Sequence, residues 1–505
     1  MYLLKKYPTY KTKIIVFLVS ISTFIFYIKT LAPTVIWGDS AKLATFVYEF
    51  DLSIRQGHHP LHTILGVLFS YLPFGDYAYR QNLMSAFFGA LAVTLVYLIL
   101  LRWTHNLIAA IGGALCLAVS HVYWLLSVIN ESYTLFAFLM VLMVWLAAVW
   151  DHTKSHKLLY LTAFVFGMSI STNYLMPFLL PGFIYFYISA KSRPRLRKRH
   201  YLLLLLSFLG GAALLVALSL KSIISGGHDI LDLLQAGPFK RFYRSPFKIV
   251  REMLLFPAYL LYQFPILGFA LGLIGARHQY KTERRQFTFL LIIFIADIVF
   301  ASGYMRQKQF FLLIASFIIF ALWIGMGIQN LSLWAGNELR RPKIAEILAV
   351  ALMIFFPIVI YYSVPILAEK LDLDLVRART LPYRDNSRFF LVPDKHKEYG
   401  AERFGLEVFQ ILEPNSIIVC DFTPIAVLRY FQRVEGIRKD VWLKLVDFKP
   451  LELEFVDHQI NQRHIYLADD LEVDYSIAAL KSKYDLIPVG PIIKVKPKRQ
   501  KLAAN

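Results

Sequence analysis

The sequence predicts a polytopic α-helical membrane protein with about eleven transmembrane helices and a small C-terminal α/β domain outside the cytoplasm. Three observations predict it. The 505-residue chain is 57% hydrophobic and only 17% charged, with a mean hydropathy of +0.53, whereas a soluble domain carries about a quarter charged residues. Lysine and arginine gather in short connections between apolar runs. After Leu367 the apolar runs shrink to strand length.

A span needs about 20 apolar residues. Eleven runs qualify, at about 13–31, 80–101, 106–123, 131–150, 158–173, 174–190, 201–221, 252–276, 287–304, 309–330 and 344–366. The pair at 158–190 is interrupted by "STNYLMP". No small-residue cleavage site follows Ile14 to Ile28, so the first run reads as a retained span rather than a signal peptide. Eleven spans put the basic stretches "MYLLKKYPTYKTK", "DHTKSHK", "AKSRPRLRKRH", "ARHQYKTERR" and "GNELRRPK" on one side, read as cytoplasmic. The short loops suggest a bacterial inner membrane. The formal charge of +20 is then a membrane-orientation signal, and nucleic acid is excluded as a partner. Cys116 and Cys420 form no metal or disulfide framework.

Residues 1–366 thus form a transmembrane domain, with a first outer loop at 32–79. Within that loop "LHTILGVLFSYLPFG" is too short to span and reads as an interfacial or re-entrant helix. Residues 367–505 form the second domain. There "SIIVCDF", "DVWLKLVDF", "RHIYLADD", "DLIPVG" and "PIIKVK" read as strands, and "TPIAVLRYFQRVEGI" as a helix stopped by Gly436.

The first outer loop carries the densest chemistry. Asp39, Lys42, Glu49, Asp51, Arg55, His58, His59 and His62 all lie between Thr30 and Gly66. Asp39 or Ser40 could cap a helix starting there. Alternatively, Asp39 is a general base for an acceptor hydroxyl, a task that suits a partly buried carboxylate. His58 and His62 have i, i+4 spacing, but Pro60 between them opposes a shared helical face, so a metal site is disfavoured against histidines that donate to a phosphate. Glu131 begins a span from the same outer face, and Asn173 and Tyr174 interrupt one. Polar residues at such depth are functional candidates, against cap or helix–helix hydrogen-bond roles. Arg241, Arg244, Arg306 and Lys308 put positive charge on the outer face, against the orientation bias, and a lipid phosphate would account for them.

Several of these segments carry a family pattern. "GDSAKLATFVYEF", His59-Pro60-Leu61, the segment from Leu72 to Leu91, "WLLSVINESYTLFAF", "GMSISTNYLMPFLLPG" and, more weakly, "PNSIIVCDFTPIAVLRYFQRVEGIRKDV" resemble the protein O-mannosyltransferase-like membrane glycosyltransferases of the GT-C fold. The similar branch contains bacterial proteins and the eukaryotic transmembrane O-mannosyltransferase related to them. The resemblance implies a multispan enzyme that takes a sugar from a polyprenyl-phosphate donor outside the cytoplasm, with Asp39 in the catalytic role. Lys42 departs from the family's Glu, His58 and His59 stand where Gly-Tyr is usual, Tyr174 replaces a frequent His, and Cys420-Asp421-Phe422 lacks most of an Asp-Asn-Asp cluster.

The expected function is transfer of a sugar to an acceptor hydroxyl on protein, lipid or glycan. Membrane lipids are the other expected partners. Asp39 is the catalytic candidate. Lys42, His58, His59, His62, Glu131, Asn173, Tyr174, Arg241, Arg244, Arg306 and Lys308 are the substrate-binding candidates. No cofactor is expected, and a divalent metal is the disfavoured alternative. A transporter or flippase of a lipid-linked substrate would also need intramembrane charge, but the sequence lacks the two related halves common in transporters. A non-catalytic relative is the third reading, kept open by Lys42.

Overall fold

The computed structural model describes residues 9–498 except 55–56, 174, 193, 226–245, 305–308, 339–341, 377 and 447–449. Lipid offers no hydrogen bonds to the backbone, so apolar runs in a membrane fold as helices. Among the described residues, seven helices are long and apolar enough to cross: Thr12–Lys29, Tyr77–Thr104, Tyr133–Thr153, Lys198–Ile224, Arg284–Gly303, Phe310–Gly336 and Lys343–Lys370. Two bent pairs raise the number to nine.

This differs from the eleven expected spans for identifiable reasons. The helices at 158–173 and 174–190 exist as His156–Ile170 and Met176–Ile188, with 15 and 13 residues. At 1.5 Å per residue they reach about 20–22 Å, short of the ~30 Å hydrocarbon layer. The expected spans at 106–123 and 252–276 are each broken. The first bends by 69° between Leu107–Val119 and His121–Ser127, and the second by 115° between Ile249–Gln263 and Leu267–Thr282.

A broken helix strands its first N–H groups and last carbonyls. Here the two breaks satisfy each other. The His121 N–H donates to the Tyr361 hydroxyl at 3.1 Å, and the Val122 N–H donates to Gln263 Oε1 at 2.8 Å. The Tyr361 hydroxyl in turn donates to the carbonyls of Tyr262 and Gln263, at 3.1 and 3.2 Å. Pro265 lies within the second break and has no N–H to offer. Tyr361 and Gln263 are both buried.

Close helix crossings hold the rest of the bundle. Helices Leu267–Thr282 and Ile314–Glu338 meet at Gly275 and Gly327. A Cβ on Gly275 would lie 1.8 Å from the Trp323 carbonyl oxygen, and one on Gly327 would lie 2.0 Å from that of Leu271. Small residues that let backbones approach are the usual means of association where lipid removes a hydrophobic driving force.

The C-terminal strands occur where the sequence places them: β1 (Ile417–Cys420), β2 (Trp442–Leu445), β3 (Ile465–Leu467), β4 (Tyr484–Val489) and β5 (Ile492–Pro497). Their order is β2-β1-β3-β5-β4. β1 runs parallel to β2 and β3, while β5 runs antiparallel to β3 and β4. All four β1 residues are buried, because both faces are covered. Ile418 and Cys420 join the same core as the membrane helices, whereas Ile417 and Val419 join a smaller core on the other face. The expected helix after β1 is Phe422–Arg433, N-capped by Asp421, with Gly436 at φ +73° beyond its end.

This region docks on the first outer loop. The Phe404 ring lies 5.0 Å from Trp37, the Ala78 N–H donates to the Tyr430 hydroxyl at 3.2 Å, and Arg433 faces Glu49 at 3.7 Å. Arg379, on the strap leaving the last span, grips Asp421 through two bonds of 2.6 and 2.7 Å and reaches Asp469 at 3.2 Å.

Tyr361→Phe removes one hydroxyl and leaves a buried N–H and two carbonyls short of a partner. It should cost about 1–3 kcal/mol, read as a lower melting midpoint in detergent micelles, whereas an unchanged midpoint would mean that the breaks are satisfied by other groups.

Candidate active site

Asp39 is the first residue of helix Asp39–Tyr48, one turn before Lys42 on the same face. Neither expected cap forms. The N-cap is Gly38, at φ +74°, and it makes no side-chain cap bond. Gly38 provides the left-handed turn that most side chains avoid, so it takes the N-cap position and Asp39 becomes the first helical residue. The Lys42 Nζ instead lies 2.5 Å from Asp39 Oδ1. Lys42 is 20% exposed and Asp39 43% exposed, so the carboxylate is the more open member of the pair.

Aromatic faces hold the lysine from two sides. Its Nζ lies 5.9 Å from the Phe46 ring centroid and 5.2 Å from that of Phe422. Both contacts are within cation–π range. Phe422 belongs to the helix after β1, so two departures from the family pattern, Lys42 and the Cys420-Asp421-Phe422 stretch, meet in space.

The histidines divide. His58 lies outside the following helix, Pro60–Ser70. Its Nε2 is 3.1 Å from Asp51 Oδ2, and its ring stacks on Phe46 at 4.1 Å. His59 is the residue before Pro60 and faces the Thr172 backbone, with Lys42 and Asp39 close enough to act on it electrostatically. Burial, then the Lys42 charge, pushes its imidazole down to about 4. His62 is wholly buried, with the Asn130 carboxamide beside it, and burial pushes it down to about 3. Both His59 and His62 are therefore neutral at pH 7.

The start of helix Tyr133–Thr153 is tied to the same place. Asn130 Nδ2 donates to the Ser40 carbonyl at 3.2 Å, and Ser85 Oγ exchanges bonds with the Glu131 backbone at 3.2 and 3.3 Å. Glu131 is not a helix cap, since Ser132 occupies that position without a side-chain bond. Asn173 makes a local turn rather than a helix–helix bond: its Oδ1 accepts from the Leu175 N–H at 2.9 Å. Thus Asp39, Lys42, His58, His59, His62, Glu131 and Asn173 gather at one end of the bundle. Tyr174, Arg241, Arg244, Arg306 and Lys308 lie outside the described residues.

Several residues that build the site carried no chemical signal in the sequence. Asn82 Nδ2 donates to the carbonyls of Ala32 and Thr34, both at 3.0 Å. Gln81 donates to the Gly66 carbonyl at 3.2 Å, and Arg80 to those of Ser70 and Leu72 at 2.5 and 3.1 Å. Asp76 caps the same helix through the Tyr79 N–H. The motif between Leu72 and Leu91 is therefore the clamp that fixes the outer loop. Phe422 could not have been found locally, because it meets Lys42 only through the fold.

The histidines carry a pH signature. Their folded values lie below the ordinary ~6.5, so the unfolded chain takes up protons first as pH falls. Stability contributed by neutral His59 and His62 should be complete above about pH 6.5 and decline from there towards pH 4. His62→Gln should flatten that decline in thermal melts across pH 4–8, and an unaltered slope would remove His62 from the account.

Residues 39–196 match the family model described as the protein O-mannosyl-transferase TMEM260 N-terminal domain. The protein O-mannosyl-transferase tmem260 of Dictyostelium discoideum is 25% identical over 195 residues, covering 35% of this chain and 24% of that protein. TMEM260 of Mus musculus is 29% identical over 150 residues, covering 29% of this chain and 21% of that protein. The matched stretch thus spans less than a quarter of the length of these curated relatives. The crystal structure of ArnT from Cupriavidus metallidurans bound to undecaprenyl phosphate superposes over 96% of this chain and 98% of its own, with a TM-score of 0.57 at 13% identity. The chain is thus a membrane protein that shares the ArnT fold along nearly its whole length and resembles the TMEM260 N-terminal domain over residues 39–196.

Proposed function

We propose that the protein is a membrane glycosyltransferase that moves a sugar from a polyprenyl-phosphate donor to an acceptor hydroxyl, with Asp39 as the general base. The observation that carries this reading is the Asp39–Lys42 pair, a half-exposed carboxylate with an ammonium at 2.5 Å. The TMEM260 relatives are named as O-mannosyl-transferases, and the ArnT structure holds undecaprenyl phosphate. Both support the choice of reaction and donor class. The reaction face would be the one away from the basic loops, on the outer side of a bacterial plasma membrane.

The acceptor hydroxyl gives its proton to Asp39 as its oxygen attacks the anomeric carbon. The bond from that carbon to the phosphate oxygen breaks, and the polyprenyl phosphate leaves as an anion. It needs no proton if a cation meets it. Lys42 suits that task. In the resting pair the ammonium occupies Asp39 Oδ1. The lysine stem is flexible. When donor phosphate arrives, Lys42 turns from the carboxylate to the phosphate, and the Asp39 oxygen it leaves is open to the acceptor hydroxyl. Arg241, Arg244, Arg306 and Lys308 are proposed as further phosphate contacts, and Tyr174, with Asn173 and Glu131, as part of the acceptor side.

The reaction is proposed to need no divalent metal, because Lys42 already supplies the cation at Asp39, and His58 is engaged by Asp51. The test is turnover of labelled polyprenyl-phosphate sugars by protein reconstituted in lipid. Asp39→Asn should lower turnover by roughly 10²–10⁴-fold, with the fold intact. Lys42→Gln should raise the donor KM more than it lowers kcat, and EDTA should have no effect. Full activity in Asp39→Asn would contradict the assignment of the base. EDTA-sensitive turnover would return the histidines to a metal role. Failure of every donor would favour the transporter or non-catalytic readings.

A further inference from the structure

At the end of the bundle that carries the basic connections, four helices surround a cavity of about 300 Å³. They are Tyr133–Thr153, His156–Ile170, Met176–Ile188 and Lys198–Ile224. Its lining shares no residue with the Asp39 site. Its position follows from one helix crossing. A Cβ on Gly167 would lie 2.2 Å from the Phe208 carbonyl oxygen, and one on Gly211 would lie 1.9 Å from that of Phe164. Those glycines pin the two helices together, and the cavity lies on the basic side of the pin, walled by Leu159, Ala163, Phe166, Leu204 and Phe208.

The lining is apolar, and the volume is at the small end of the ~300–1,000 Å³ range of ligand sites. Water gains little in such a space. Trp150 closes one wall and is 2% exposed. The cavity is continuous with charge, because Leu196 lines it from within the basic connection. Arg195, Arg197, Lys198 and Arg199 flank that leucine and are exposed. The rim carboxylate, Asp151, is already taken by Lys154 and Arg285, each at 2.6 Å.

We propose that this cavity is a binding site for a glycerophospholipid with an anionic headgroup, drawn from the leaflet on the basic side. One acyl chain fills the cavity, and the headgroup sits on Arg195, Arg197 and Lys198. These exposed cations beside Leu196 select an anionic headgroup over a zwitterionic one. Basic residues at a membrane surface recognise anionic lipid in this way.

Native mass spectrometry of the full chain in mild detergent tests it. Phosphatidylglycerol, phosphatidylcholine with identical chains, and a polyprenyl phosphate are titrated in turn. Wild type should retain one phosphatidylglycerol with at least roughly tenfold preference over phosphatidylcholine. The surface variant Arg195→Gln/Arg197→Gln/Lys198→Gln should lose most of that preference. Ala163→Phe, which fills the cavity, should lose the bound lipid. Equal retention of the two phospholipids by wild type, an undiminished preference in the triple variant, or stronger capture of polyprenyl phosphate that Ala163→Phe abolishes, would each overturn the proposal. The triple variant changes only exposed side chains, so the test survives even if Ala163→Phe does not fold.

Discussion

A membrane bundle that breaks its helices and folds a loop against them must find partners for every backbone group it strands. That constraint organises this protein. Tyr361 and Gln263 join the two broken helices to each other. Asn82, Gln81 and Arg80 do the same for the outer loop by taking up its carbonyls. Unpaired polar groups are costly where water is scarce, so these side chains fix geometry as well as stability. The candidate site sits on the loop that they hold.

The C-terminal region completes that arrangement rather than standing apart from it. One face of its sheet shares a core with the membrane helices. The helix after β1 sets Phe422 against Lys42, while Arg379 ties the last span to the carboxyl ends of β1 and β3 through Asp421 and Asp469. Burial raises Asp469 to about 6, so this latch loads a carboxylate that resists ionisation against a guanidinium that demands it. Lys42 is thus held between the Asp39 carboxylate one turn away and the aromatic face of Phe422.

Much of the fold was legible because hydropathy reports directly on burial in lipid. The five strands after Leu367 were legible as short apolar runs, and Gly436 as a helix stop. The helix breaks were not. Pro265 marks one of them in the sequence, but a proline inside an apolar run also occurs in intact spans, and the Ser120 break is defined by Tyr361 and Gln263, more than a hundred residues away. In the site, Asp39 and Lys42 were legible from local pattern and family likeness. Their pairing with Phe422, and the different settings of His58, His59 and His62, depend on contacts between distant segments that no periodicity encodes. The cap expected of Asp39 failed because Gly38 took the turn.

The central claim is that donor phosphate draws Lys42 away from Asp39. The most direct measurement is infrared difference spectroscopy of the reconstituted protein with and without a polyprenyl phosphate, using Asp39→Asn to identify the carboxylate band. That band should shift when the lipid phosphate is added to the wild type, as the ammonium leaves the carboxylate, and should stay in place in Lys42→Gln. A band that does not move in the wild type, or that moves equally in Lys42→Gln, would contradict the claim.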